Sequence, residues 1–379
     1  MSDEVHPFRI DIPDADLDDL RARLGRTRFP DAEPVDDWSQ GIPLAYVREL
    51  CTYWRERYDW RPVEARLNAW PQYKTGLDGV GVHFLHIRSP VADATPLVMT
   101  HGWPGSVIEF SKVIEPLTNP AAHGGTDADA FHLVLPTIPG YGFSDKPTTP
   151  GWGVDRVARA WSVLMARLGY AHYFAQGGDW GSAITASIGA HDPEHCIGVH
   201  TNMAVVAPPA EMMAEPTEEE QDAIAARQFY ADSDSGYSRQ QSTRPQTLGY
   251  GLVDSPAGQA AWIVEKFYQW MDCDGHPENV LTRDEILDNV MFYWLTGTGA
   301  SSARLYWESF ARGSMDDVKV PAGISVFPKE IFKTSRRWAE TRFKDLRYFN
   351  RLDKGGHFAA FETPDVFVQE LRACFATMR

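Results

Sequence analysis

Cysteine is scarce in this sequence. The four present, Cys51, Cys196, Cys273 and Cys374, lie far apart and form no C-x-x-C pair among 379 residues. That spacing excludes a zinc ribbon and a disulfide scaffold and predicts reduced thiols in a cytoplasmic protein. Long apolar runs are missing too: no segment approaches the roughly 20 apolar residues of a membrane span. The opening "MSDEVHPFRIDIPDADLDD" is acidic and has neither the basic start nor the apolar centre of a signal peptide. Positive charge is in deficit, 36 Lys and Arg against 52 Asp and Glu, a net charge of −16. Such a surface repels phosphate backbones and anionic lipid, so nucleic acid is not an expected partner. Internal repeats and low-complexity linkers are absent. What remains is a soluble globular chain, 43% hydrophobic and 23% charged, long enough to bury a large core. Self-association is left open.

The first 75 residues read as helical and tryptophan-rich, with Trp38, Trp54, Trp60 and Trp70. Leu17, Leu20 and Leu24 recur at helical spacing, as do Leu44, Val47, Cys51 and Trp54. From residue 76 the texture changes. Apolar runs at 80–89, 96–103, 131–140, 172–179 and 197–203 read as buried strands with helices between most of them, and a further run lies at 323–328. This alternation predicts an α/β fold with a mostly parallel sheet covered on both faces. Between 207 and 318 the strand signal vanishes. Ser255 and Pro256 mark one helix start, and Thr282 with Glu285 a capping box at another. The predicted organisation is therefore an N-terminal helical region (1–75), a first core segment (76–206), a helical lid (207–318) and a second core segment (319–379). Ligands of α/β sheets bind beyond the carboxyl ends of the strands, where such an insertion would cover them.

The stretch "QGGDWGS" (176–182) joins a strand to a helix start through Gly177-x-Asp179-x-Gly181. This is the spacing of a nucleophile elbow, a sharp turn that projects its middle residue. Taken alone, an aspartate in a glycine-rich turn is more often a turn former. At an elbow, however, a carboxylate attacks carbon to form an ester, whose carbonyl water can later attack. The chemistry indicated is displacement at a saturated carbon, with an epoxide or an alkyl halide as electrophile. A base must then activate water. His357 in "DKGGHFAAFE" follows Asp179 in the order nucleophile, acid, histidine. Glu330 in "VFPKEIF" is the favoured acid; Asp353 rivals it by proximity to His357, with Asp316 and Asp317 weaker. "THGWPGS" (100–106) would aim the N–H of Trp103 at the elbow, with the N–H of Trp180 as second oxyanion donor and His101 as a turn residue. Two patterns are decoys. "HDPEH" (191–195) resembles a zinc-protease motif, but Pro193 interrupts the helix it needs, and "GTGASS" and "GYGF" lack the context of a phosphate loop.

"HGWPGS", "GGDWGS", "GYSRQQSTRPQTLGYGLVDSPAGQAAWIVEKFYQW", "SSARLYWESF", "FPKE" and "GGHFAAFE" occur in one order. Together they resemble the microsomal-type epoxide hydrolases of the α/β-hydrolase superfamily over nearly the whole chain. Microsomal members begin with a hydrophobic anchor that this sequence lacks, so membrane residence is not implied. The resemblance implies cofactor-independent, metal-free conversion of an apolar epoxide and water to a vicinal diol. It also maps two lid tyrosines onto Tyr237 and Tyr306, which would hold and protonate the epoxide oxygen. The insertion also contains Tyr230, Tyr250, Tyr268 and Tyr293, and periodicity alone does not choose among them. A hydrolytic haloalkane dehalogenase would use the same aspartate, histidine and acid. A non-catalytic ligand-binding relative would tend to lose them.

Overall fold

The computed structural model describes residues 3–310 and 315–379; positions 311–314 of the expected lid lie outside the described residues. Among the described residues nine strands form one sheet, in the order β1-β2-β3-β5-β4-β6-β7-β8-β9. They are β1 His6–Pro7, β2 Gln72–Leu77, β3 Val80–Ile87, β4 Thr95–Thr100, β5 Phe131–Pro136, β6 Tyr173–Gly177, β7 Cys196–Thr201, β8 Val318–Val326 and β9 Phe343–Arg351. From β5 to β9 neighbours run parallel; β1, β2 and β3 pair antiparallel. Every residue of β3 and β6 is buried, which requires cover on both faces and explains why these runs are apolar without alternation.

The expected strands all form, and three more join them. β1 and the start of β2 fall within the segment read as purely helical, and β9 gave no strand signal. The cause is position in the sheet. β2 has only the two-residue β1 outside it and β9 is an edge strand, so "QYKTGL" and "FKDLRYFNR" carry polar residues that an inner strand would exclude. The run at 323–328 also proves to be the end of a longer strand, β8.

The register levels the strand ends that matter. Thr100 of β4 pairs with Gly177 of β6, and Gly177 with Thr201 of β7. The loops after these three strands therefore leave the sheet at one height. Between β7 and β8 the described residues form helices and no strand. The anticipated starts are present: Ser255 Oγ accepts from the Gly258 N–H at 3.0 Å, and Thr282 and Glu285 cap each other.

The N-terminal helices α1 (Asp14–Gly25), α2 (Leu44–Glu56) and α3 (Arg61–Asn68) bury Leu17, Leu20 and Leu24, and Val47, Cys51 and Trp54, at the expected spacing. Their polar groups reach the helical insertion. Tyr46 donates to Glu278 (2.9 Å), Tyr53 to Asp284 (2.7 Å) and Tyr58 to Asp288 (2.9 Å). Arg66 pairs with the same Asp288 at 2.7 Å, and Trp38 stacks on Tyr268 with ring centroids 4.0 Å apart. The N-terminal region thus straps the insertion.

Candidate active site

Asp179 stands between β6 and the helix Trp180–His191 with φ 50° and ψ −129°. For a residue with a Cβ this is a strained backbone, costing about 1–3 kcal/mol. The glycines around it make the turn feasible. A Cβ on Gly177 would lie 2.1 Å from the Gly181 carbonyl oxygen, and one on Gly181 would lie 1.9 Å from that of Thr100. Even the neighbouring strand loop is restricted, because a Cβ on Gly102 would lie 2.0 Å from Asp179 Oδ1. The carboxylate also heads a twelve-residue helix, whose N-terminal dipole favours negative charge there.

The loop after β4 places the Trp103 N–H on Asp179 Oδ1 at 2.8 Å. Trp180 is the first residue of the helix, so its N–H belongs to the group without an intrahelical acceptor. His101 donates through Nδ1 to the Gly102 carbonyl (3.0 Å) and accepts at Nε2 from Ile138 N–H (3.4 Å). Burial lowers its pKa to about 4, which suits the turn role expected for it.

His357 reaches the same carboxylate from the loop after β9, with Nε2 3.2 Å from Asp179 Oδ2. Its Nδ1 lies 2.7 Å from Glu330 Oε1. Glu330 follows β8, and the Lys329–Gly356 bridge ties its loop to that of His357. Both side chains are buried. Burial opposes a charged imidazole, yet the Glu330 carboxylate and the contact with Asp179 hold the His357 pKa well above its usual range. The rival acids lie elsewhere: Asp353 is exposed, Asp316 faces His191 and Asp317 faces Lys344.

Across from Asp179, the helical insertion supplies Tyr237 and Tyr306, both buried. Tyr237 stacks on Trp103 with centroids 4.9 Å apart, and Tyr306 meets the Trp180 ring edge-on at 4.7 Å. The two rings stand 5.8 Å apart and, with Asp179, line a cavity of about 300 Å³. Trp180, Met203, Phe310 and Phe332 make much of it apolar. Burial keeps both phenols well above their ordinary pKa, hence neutral donors.

Several contributing residues carried no sequence signal. Tyr230, on a π-helical turn (Tyr230–Asp234), donates to Tyr237 Oη at 3.2 Å. Beneath the Tyr237 ring lies the buried Lys266 ammonium, 4.8 Å from its centroid and 2.6 Å from Asp234. Asp234 also accepts from Trp270 Nε1–H at 2.6 Å, and the Trp270 carbonyl accepts from the His357 N–H at 3.0 Å. Asn202, just past β7, reaches Glu330 Oε2 and the His357 carbonyl, each at 3.5 Å. These partners come from distant segments, so no local pattern marks them.

The "HDPEH" segment is a helix end, since the helix stops at His191. Among the described residues no cluster of three or more His, Cys, Asp or Glu is arranged to hold a metal ion. Nor, among them, is any helix long and apolar enough to cross a membrane.

Comparison with known proteins gives the family and the fold. Residues 5–110 match the family model "Epoxide hydrolase N terminus", and residues 95–247 match "alpha/beta hydrolase fold". A provisionally named epoxide hydrolase of Stigmatella aurantiaca is 53% identical over 379 residues, covering 99% of this chain and 86% of that one. Epoxide hydrolase 1 of Sus scrofa is 35% identical, covering 98% and 88%. Among solved structures, juvenile hormone epoxide hydrolase of Bombyx mori superposes with a TM-score of 0.92 at 32% identity, covering 100% and 95%. Aspergillus niger epoxide hydrolase gives 0.90 at 32%, covering 99% and 97%. With whole-chain relatives at this identity, and strand ends that bring Asp179, His357 and Glu330 together, the chain belongs to the epoxide hydrolases of the α/β-hydrolase fold.

Proposed function

We propose that this epoxide hydrolase works through a covalent ester on Asp179. An Asp179 oxygen attacks an oxirane carbon as the carbon–oxygen bond opens, and a proton from Tyr237 or Tyr306 neutralises the emerging alkoxide. His357, oriented by Glu330, then takes a proton from water as the hydroxyl adds to the ester carbonyl. The N–H groups of Trp103 and Trp180 receive the oxyanion. Collapse of the tetrahedral intermediate expels the diol oxygen, which takes the proton from His357. The regenerated Asp179 carboxyl loses one proton, balancing the one the tyrosine gave.

The observation that carries this reading is the placement of Asp179. It contacts the Trp103 N–H and His357 on one side and faces two neutral tyrosines across an apolar cavity on the other. Alkylation also explains how His357 changes role. Esterification removes the Asp179 charge, one of the causes that raise the imidazole pKa, and so favours the neutral base. In the same reading residues 207–318 are the lid, residues 1–75 its strap, and residues 76–206 and 319–379 the catalytic core. The substrate is an apolar epoxide, matched to the cavity wall. The four buried free cysteines fit a reducing cytoplasm.

Diol formation from a panel of aryl and alkyl epoxides tests the scheme. The wild type is expected to produce diol and Asp179→Ala none. His357→Gln should stop after alkylation, leaving the substrate mass on the Asp179 peptide. Halide release from haloalkanes without diol formation would replace the epoxide by the alkyl halide as electrophile.

A further inference from the structure

Asp179 lines two cavities. The larger one, with the tyrosines, is the apolar space described above. The other is about 20 Å³ and lies where His357, Glu109, Gln176 and Asn202 approach Asp179 and Trp103. A site for one water needs roughly 10–15 Å³ and two to four polar partners, so this space suits a single molecule. Neither tyrosine lines the small cavity, and His357 does not line the large one. Epoxide and water would therefore meet Asp179 from different sides.

Two features of the small cavity are otherwise unexplained. Gln176 is 1% exposed; its Nε2 donates to Asn202 Oδ1 at 3.2 Å, while its Oε1 has no hydrogen-bond partner. A buried amide oxygen left unpaired is destabilising, and a water beside it removes that cost. The second is Glu109, whose carboxyl projects under the loop after β4. A Cβ on Gly105 would lie 1.3 Å from its Oε1, so glycine at 105 is what admits this side chain. Burial pushes the Glu109 carboxyl up to about 8, leaving it an O–H donor at neutral pH. Neutrality also avoids a further negative charge beside Asp179.

We propose, building on the ester mechanism above, that this cavity holds the hydrolytic water and that Glu109 and Gln176 are its positioning residues. Water has two hydrogens and two lone pairs, and the site has a use for each. One hydrogen goes to His357 Nε2 as the oxygen bonds to the Asp179 ester carbon, and the other is held by Gln176 Oε1. The Glu109 O–H meets one lone pair, leaving the second directed at the carbonyl. The Asn202 contacts with Glu330 and the His357 carbonyl keep the base in the same frame.

Single-turnover mass spectrometry of the Asp179 peptide separates ester formation from ester hydrolysis. In Glu109→Leu and Gln176→Met, alkylation should stay within about twofold of wild type while ester hydrolysis slows about 10²-fold, the cost of misplacing a reacting group by ~1 Å. Glu109→Gln retains a donor and an acceptor and should recover most of the hydrolysis rate. Hydrolysis as fast as wild type in both variants would overturn the proposal, as would a parallel fall in both half-reactions, which marks a packing role. Should Gln176→Met fail to fold, the Glu109→Leu and Glu109→Gln pair decides alone. Absence of any ester, even in His357→Gln, would instead remove the mechanism on which the proposal rests.

Discussion

The groups gathered about Asp179 come from two regions held in place by different means. Asp179, Glu330, His357 and the Trp103 N–H stand on short turns beyond β6, β8, β9 and β4, and the sheet register fixes their heights. Each turn is set by local backbone rules: glycines that no Cβ could replace, a strained φ at Asp179, a bridge from Lys329 to Gly356. Tyr237 and Tyr306 have no such support. They sit on helices whose positions depend on ring contacts with Trp103, Trp180 and Trp270, on the buried Lys266–Asp234 pair, and on the N-terminal strap. The sheet holds its residues through hydrogen-bonded backbone, the insertion through side-chain packing. The lesson is a division of labour: under the proposed mechanism the sheet-borne region would make and undo the ester, and the packed one would protonate the leaving group.

Breaking the rigid region should have the largest effect. Glu330→Gln leaves the shape but removes the charge that orients His357, and a loss of about 10⁴-fold in kcat is expected by triad logic. Asp353→Asn, on an exposed residue, should leave kcat unchanged. Steady-state rates of the two variants test the assignment, and equal losses would end the preference for Glu330 over Asp353.

Tyr237→Phe combined with Tyr306→Phe tests the packed region. Alkylation should fall by about 10³-fold, within the range for general-acid catalysis, while hydrolysis of preformed ester continues. Slowing of both half-reactions would mean that the tyrosines also shape the rigid side, and the comparison would fail.

The smallest effect concerns the strap. Burial raises the Asp288 carboxyl to about 6, although Tyr58 and Arg66 both bind it. Its folded pKa exceeds the unfolded value near ~4, so the folded protein holds an extra proton between these limits and loses stability as pH rises through them. The contribution is on the order of 1–3 kcal/mol, complete above about pH 6. Asp288→Asn should flatten that slope. Urea denaturation at pH 4, 5, 6 and 7 measures it, and identical slopes for both proteins would show that Asp288 does not couple strap stability to pH.

The same contrast governs what could be read in advance. Gly177-x-Asp179-x-Gly181 is legible because the turn's steric demand falls on adjacent residues. His357 is legible because chain order and a glycine-flanked turn accompany it. Glu330 and Asp353 are harder to separate, since both follow strand-forming segments; burial and the 2.7 Å contact with His357 Nδ1 single out Glu330. Tyr237 and Tyr306 came only through resemblance, for nothing local distinguishes them from Tyr250, which is 69% exposed on the same insertion. β1, β2 and β9 escaped detection because edge positions relax the demand for apolar residues.

By itself the sequence determined the α/β layering, the elbow with its aspartate, the helical character of the insertion and the acidic surface. Each follows from periodicity, turn sterics or charge, which act over a few residues or over the whole composition. Only the tertiary structure decided which acid meets His357, which tyrosines face Asp179, how the N-terminal helices hold the insertion, and that a second cavity adjoins Asp179. These are meetings of residues tens to hundreds of positions apart, and they arise from the sheet order and the packing of buried rings rather than from any neighbouring pattern.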